Sequence, residues 1–449
     1  MTTAPNVSAI YAVAWPLTLK ALMLHGIVVI DAYLISALGE EALAAMGLAG
    51  ALVGLLLGIL FAFSNATQIR IAQSFGATGQ VRLKTAFYCG LVINLGSVLI
   101  GVGLVVLFGR AVIESAAQTD WIAAQAMSYL QVFLIVVFAE AIGQCLGSHF
   151  NGCGNPRVTF YSYLIAMPIN IGASIILIYG LYGAPELGVA GAAYGSAIAS
   201  LTRVMFMGVK FFRENRLFLD VKGWLRDSFA MAFKRHLLFS LPIAGTFLSM
   251  TIGTQVCVLI YARMSLNDFA AITLIMPWVQ VAGTFGMSWA QATGILVAQL
   301  LGAGADEDTL DTFLSRAWRA AFVAAAVVSG MYLVLCLLSP WIYAGLEDET
   351  RAALWMFLPT LLLLPFPKGS NAICGQTLRA AGDTLRVMNI FVASQWLFKV
   401  PMTLLLVLVW DVPVAWVFSL FLMEEIVKLP MFHRRLWRGD WKRANVDDV

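Results

Sequence analysis

Charge is what this sequence has least of. Only 12% of its 449 residues are Asp, Glu, Lys or Arg, about half the roughly 25% of a soluble domain, which excludes a water-soluble enzyme of this length. The same scarcity, beside 60% hydrophobic residues, excludes disorder. No strongly basic stretch invites nucleic acid, because 28 Lys and Arg stand against 25 Asp and Glu, a formal net charge of +3. Cysteine is sparse: Cys89, Cys145, Cys153, Cys257, Cys336 and Cys374 lie singly in or beside apolar runs, without a C-x-x-C pair, and read as small core residues. The four histidines, His25, His149, His236 and His433, are far apart and make no ligand spacing. No metal, cofactor or catalytic centre is expected. Met1 to Ala14 contain neither Lys nor Arg, so the first apolar stretch does not read as a secretory signal peptide and is expected to stay in the protein.

What the sequence has in abundance is long apolar stretches. A hydrocarbon core of about 30 Å needs roughly 20 apolar residues in a helix. Twelve stretches meet that length, near 9–35, 45–70, 86–109, 124–148, 158–180, 188–212, 237–263, 270–300, 314–338, 351–375, 387–409 and 412–432. The expected fold is an all-α membrane protein of twelve transmembrane helices in two six-helix bundles. Residues 1–212 form the amino-terminal lobe, 213–236 a basic cytoplasmic linker with an amphipathic piece, 237–435 the carboxy-terminal lobe and 436–449 a cytoplasmic tail. Alternate connections differ in basic residues: one side collects 20 of the 28 Lys and Arg, the other only Arg110, Arg263 and Arg351. Basic residues are retained inside, so both termini are expected in the cytoplasm, the protein lying in a plasma membrane, the bacterial inner membrane.

The second half repeats the first. At an offset of 226, Pro16 falls on Pro242, Ala66-Thr67 on Ala292-Thr293, Ala72-Gln73 on Ala298-Gln299 and Gly76-Ala77 on Gly302-Ala303. At 228, Gly154 meets Gly382. A repeating unit of six spans enters the membrane the same way up, so the halves are related by an axis along the membrane normal, the plan of transporters that rock two bundles about a central site. No G-x-x-x-x-G-K-[ST] motif occurs, so active transport must draw on an ion gradient.

Ionisable residues within spans are costly and therefore functional candidates. Asp31 is the only carboxylate of the first span, between Ile27-Val28-Val29-Ile30 and Ala32-Tyr33-Leu34-Ile35. Eight residues before Gly39, at 1.5 Å rise, put it roughly 12 Å inside the outer boundary. Removal from water favours the neutral carboxyl, which suits a proton carrier. Glu140 and Lys368 occupy equivalent positions at the 228 offset with opposite charge, either a neutralising pair or two independent charges facing a wet cavity. Asn65, Thr67, Gln68, Gln291 and Thr293 either line that cavity or bond neighbouring helices. Lys20, Lys399, Glu424 and Glu425 read as span-end residues that snorkel to the interface.

These residues resemble the multidrug and toxic compound extrusion (MATE) family over essentially the whole chain. The likeness is carried by Asp31 followed by Leu38-Gly39-Glu40-Glu41-Ala42-Leu43-Ala44-Ala45-Met46-Gly47, by Gly76-Ala77, by Gly302-Ala303-Gly304, and by Gly375-Gln376-Thr377-Leu378-Arg379-Ala380-Ala381-Gly382-Asp383-Thr384. The resemblance implies a V-shaped pair of pseudo-symmetric six-helix bundles exporting small amphipathic, often cationic compounds by alternating access. It implies a coupling site in the amino-terminal lobe, with Asp31, Asn170 and Ser196 matching the family's Asp, Asn and hydroxyl, and Ser174 where a second carboxylate is common. It makes Pro16 the first-span kink proline. Lys368 stands where some branches have an acid, and span seven has no carboxylate, so the pattern is most similar to the DinF-like branch. Protons are then favoured over sodium as the coupling ion, and the partners expected are cargo and the lipid bilayer, with no nucleic acid and a monomeric protein. The alternative is a lipid-linked oligosaccharide or lipid flippase of the same superfamily. That would need a cavity rich in basic residues, whereas the candidates here are chiefly Lys368 and Arg70, and the 13 Trp and 28 Phe suit aromatic cargo. An intramembrane enzyme would need convergent acid, base or metal groups that Asp31 and Glu140 do not supply.

Overall fold

The structure is a computed structural model and describes residues 4–214, 224, 228–342 and 348–443. Among the described residues there are helices and turns but no strand. The helices follow the apolar stretches: α1 (Val7–Ser36), α2 (Glu40–Gly76), α3 (Gln80–Ala116), α4 (Asp120–Gly152), α5 (Pro156–Tyr179) and α6 (Val189–Glu214), then α7 (Phe229–Tyr261), α8 (Leu266–Gly302) and α9 (Glu307–Ile342). Short segments α10 (Asp348–Met356), α11 (Leu358–Leu363) and α12 (Pro365–Ala380) follow. After them come α13 (Thr384–Ala393), α14 (Val400–Leu404) and α15 (Val414–Trp437). Ten described helices are long and apolar enough to cross a membrane, and Asp348–Leu363 with Pro365–Ala380, bent by 44°, make an eleventh. The twelfth apolar stretch is α15, whose apolar run is interrupted by Glu424, Glu425 and Lys428. The amphipathic linker piece falls on residues 215–223 and 225–227, and the end of the tail on 444–449; both lie outside the described residues.

The repeat read from the sequence is written into the helix boundaries. α2 and α8 start and stop in one register, Glu40 with Leu266 and Gly76 with Gly302, while α4 (Asp120–Gly152) matches the stretch from Asp348 to Ala380. Packing repeats as well: α2 lies on α3 and α4, and α6 on α4, whereas α8 lies on α9 and α12, and α15 on α12. The second copy departs where prolines intervene. Pro359, Pro365 and Pro367 lack the N–H that an unbroken helix needs, and the counterpart of α4 is accordingly broken.

The chain forms two compact units, Leu19–Ser240 in one, and Leu241 onward with the chain up to Thr18 in the other. This differs from a division at 213–236. The first residues join the second unit, where the Arg316 guanidinium donates to the carbonyls of Ala4 (2.9 Å) and Pro5 (3.3 Å). The start of α7 joins the first, where His236 Nε2 meets Thr67 Oγ1 at 3.1 Å and the Arg70 guanidinium lies 4.7 Å over the Phe239 ring. Both changes of unit fall two residues from a helical proline, after Pro16 and before Pro242. Each proline removes one backbone hydrogen bond from its helix.

Apolar side chains cover the outside of both units, with Leu107 and Leu259 each 72% exposed, as expected where lipid is the solvent. Contacts between such helices rely on close packing and polar groups rather than on escape from water. In the first unit, Asn94 Nδ2 donates to Ser64 Oγ (2.9 Å) and to the Ala141 carbonyl (3.2 Å), tying α3 to α2 and α4. Asn151 Nδ2 donates to Gln68 Oε1 (3.0 Å), and the Thr159 hydroxyl donates to Asn151 Oδ1 (3.0 Å).

Candidate functional site

The geometry around Asp31 begins with two glycines. On α6, Gly191 and Gly195 sit one turn apart on a single face. A Cβ on Gly191 would lie 2.6 Å from Ile178 N, and one on Gly195 would lie 2.2 Å from Ser174 Oγ. Only glycine permits that approach of α6 to α5, the small-xxx-small packing common between membrane helices. The approach brings Ser196 against Asn170: the Asn170 side-chain amide donates to Ser196 Oγ (3.0 Å), and the Ser196 hydroxyl donates to Asp31 Oδ2 (3.4 Å). The Tyr179 hydroxyl donates to the Leu34 carbonyl (2.7 Å), pinning the far end of α5 to α1 one turn beyond Asp31. Replacing Gly191 by alanine is expected to force the helices apart and to cost roughly 1–3 kcal/mol, the usual range for overpacking. Thermal unfolding of the purified variant reads this directly, and an unchanged midpoint would contradict the packing argument.

The four residues of the expected coupling site, Asp31, Asn170, Ser174 and Ser196, meet here. Asp31 is 6% exposed, Asn170 1%, Ser174 0% and Ser196 9%. Ser174 faces the same carboxylate. Asp31 Oδ1, Asn170 Oδ1 and Ser174 Oγ have no hydrogen-bond partner among the described residues. A buried oxygen without a donor is costly. Among the described residues Asp31 forms no ion pair, so none of them neutralises its charge.

Glu140 is arranged differently. Its Oε2 is 2.6 Å from the Arg203 guanidinium of α6. The Gln144 amide donates to the same oxygen (3.1 Å) and the Ser200 hydroxyl to Oε1 (3.2 Å). Arg203 also lies 4.2 Å over the Tyr163 ring. Glu140 is thus neutralised within its own unit by Arg203 and is not a free charge. Thr67 and Thr293 are likewise fully buried. Thr67 bonds His236, and the Thr293 hydroxyl donates back to the Trp289 carbonyl (2.9 Å), so neither lines a cavity. Asn65 and Gln291 are half-buried, the former with its side-chain oxygen unpaired among the described residues.

The second unit holds a charge network that the sequence reading misplaced. Lys399 Nζ lies 2.9 Å from Glu424 Oε2, Lys428 Nζ 3.0 Å from Glu424 Oε1 and 2.8 Å from Glu425 Oε1. Asn371 Nδ2 donates to Glu425 Oε2 (2.9 Å). Lys428 is only 1% exposed, Glu424 5% and Lys399 7%. These are packed interior groups, not snorkelling ones. The reason is that α15 continues to Trp437, which puts Glu424 to Lys428 in mid-helix. Lys399 ends a π-helical turn, Ser394–Lys399, in which the Val400 N–H reaches back to the Gln395 carbonyl. Such turns recur at functional sites. The i,i+4 spacing of Glu424 and Lys428 was the available signal.

Two groups of helices that repeat one packing plan, with a buried carboxylate in the first, define a membrane transporter fold. The MatE family model matches residues 16–176 and 242–405, twice over and together more than half of the chain. The protein belongs to the MatE family. The two matches begin at Pro16 and Pro242, the pair aligned by the 226-residue offset. Among curated proteins the chain is 22% identical to the uncharacterized transporter YisQ of Bacillus subtilis over 96% of this chain and 94% of that protein. It is 26% identical to the probable multidrug resistance protein NorM of Rhizobium meliloti over 82% and 79%. Among solved structures it superimposes on a MATE protein in the bent conformation with a TM-score of 0.85 at 18% identity, covering 98% of this chain and 97% of that one. For a MOP superfamily transporter from Pyrococcus furiosus the TM-score is 0.84 at 18% identity, over 97% and 96%. At such identity the likeness is one of fold.

Proposed function

We propose that the protein is a secondary active multidrug exporter that moves amphipathic compounds, cationic ones among them, out of the cell in exchange for protons, by alternating access. In this reading both termini are cytoplasmic and Asp31 carries the proton. The observation that supports it most is the isolation of Asp31, a buried carboxylate beside Ser196 with no ion pair among the described residues and one oxygen unpaired. A proton on that oxygen removes the charge and turns an orphaned acceptor into a donor, which meets both deficits at once. Relatives described as probable multidrug resistance proteins support the cargo class. Proton and cargo binding are linked reciprocally: cargo that prefers the ionised carboxylate must release the proton, and protonation must weaken cargo binding by the same factor.

The test is transport of a fluorescent cationic dye in proteoliposomes under a pH gradient alone and then a sodium gradient alone. Dye movement is expected with the first and not with the second. Strict dependence on sodium would overturn the coupling ion, and no movement under either gradient would overturn the exporter itself.

A further inference from the structure

Lys368 is the one member of the second unit's charge cluster that is left over. Two carboxylates, Glu424 and Glu425, lie among three ammonium groups, Lys399, Lys428 and Lys368. Glu424 is held by Lys399 and Lys428, and Glu425 by Lys428 and Asn371. Asn371 is one helical turn beyond Lys368 on α12, so Glu425, one of the two carboxylates of this cluster, is already engaged by a neighbour of Lys368. Lys368 itself makes no hydrogen bond or ion pair among the described residues. In the first unit the equivalent position of the repeat is Glu140, whose charge is met by Arg203. Among the described residues the second unit has no such match.

The unmatched ammonium does not end in packed protein. Lys368 lines a cleft of about 40 Å³ between α8, α9 and α12, open on one side, whose walls are otherwise apolar or small, with Trp289, Ala325 and Tyr332 among them. On α8, a Cβ built on Gly283 would come 3.6 Å from Lys368 Nζ, while one on Gly286 would meet nothing within 4 Å. The glycines therefore leave room beside the ammonium. The polar ends of the two aromatic walls are turned away, the Trp289 indole donating to the Ala317 carbonyl (3.2 Å) and the Tyr332 hydroxyl to the Val279 carbonyl (3.2 Å). Their apolar faces are what remains for a ligand.

We propose that this cleft is a binding site for a small amphipathic anion, an aromatic or aliphatic body carrying one carboxylate, sulfonate or phosphate head that sits against Lys368. The cleft takes the head and the atoms next to it, and the rest of the body lies along its open apolar side; an apolar wall with one fixed polar group is the usual plan of a ligand site. An anionic head supplies the counter-charge that the protein withholds, and a cationic head is repelled. This site is separate from Asp31, and its test reads binding, so it stands or falls independently of proton-driven export.

The experiment titrates the full-length protein in phosphatidylcholine nanodiscs with two probes that share one aromatic body, 1-pyrenesulfonate and 1-pyrenemethylammonium, each corrected for protein-free discs. The sulfonate is expected to bind at least about tenfold more tightly, the range of one charge-assisted hydrogen bond. Lys368→Gln should abolish that preference and Lys368→Arg should keep it. Gly286→Phe, which fills the open side of the cleft, should weaken the sulfonate without touching the charge, and it decides the matter if Lys368→Gln fails to fold. Repeating the titration in discs containing phosphatidylglycerol separates the sources of the anion: loss of sulfonate binding identifies a lipid headgroup as the occupant, and unchanged binding a free amphiphile. Equal affinity for the two probes in the wild type, or sulfonate binding unaltered by Lys368→Gln, would overturn the proposal.

Discussion

Replacing Asp31 by asparagine is expected to reduce gradient-driven efflux to the level of protein-free vesicles while leaving the protein folded. The amide has nearly the shape of the carboxylate and can still accept from the Ser196 hydroxyl, which donates to Asp31 Oδ2 at 3.4 Å. It cannot gain or lose a proton. If this group is the only carrier, the loss is complete rather than graded, because without it the two directions of the cycle no longer differ in protonation. Stability should hardly change: the substitution removes no ion pair, and Asp31 Oδ1 has no donor to lose. Binding of a cationic dye sharpens the test. Wild-type affinity should rise with pH as the carboxyl ionises, and the asparagine variant should bind with a flat profile. Full gradient-driven activity of the variant would remove Asp31 from the mechanism.

The fold was legible because its signals are long. Apolar stretches of 20 or more residues and a repeat in one register survive any local ambiguity, and the boundaries of α2 and α8 fall on that register. Asp31, Asn170, Ser174 and Ser196 do come together in the structure, but the reason lies in Gly191 and Gly195, whose role as a contact surface needs the facing helix to be seen. Charged partners were harder. Arg203 carries no signal of its own in the sequence, since nothing there tells which helix will face Glu140. Lys428 lies near the end of the 412–432 stretch, where the paired charges let α15 run on, and Lys399 lies in the middle of the 387–409 stretch, where only its partner Glu424 accounts for its burial. A neutralised ion pair hides its own burial from composition.

Cutting the Glu140–Arg203 pair is expected to be the most damaging change to stability. The two side chains are 10% and 4% exposed and meet at 2.6 Å. Glu140 also accepts from Gln144 and Ser200, so the charge is solvated by the protein rather than by water. Arg203→Met removes the cation and leaves the carboxylate without its counter-charge, and Glu140→Gln does the reverse. Breaking a buried pair in this way costs roughly 3–5 kcal/mol, because one charge remains without compensation. The double variant Glu140→Gln with Arg203→Met carries no charge at this position and should recover much of the loss, since a buried pair adds little net stability over a neutral replacement. Thermal unfolding of the purified variants measures all three. Additive losses in the double variant would mean that the two residues act separately. The same geometry decides a second comparison: Glu140→Lys with Lys368→Glu, a double reversal in the repeat, should give no rescue, because Glu140 already has its partner within the first unit, and a lysine there would face Arg203.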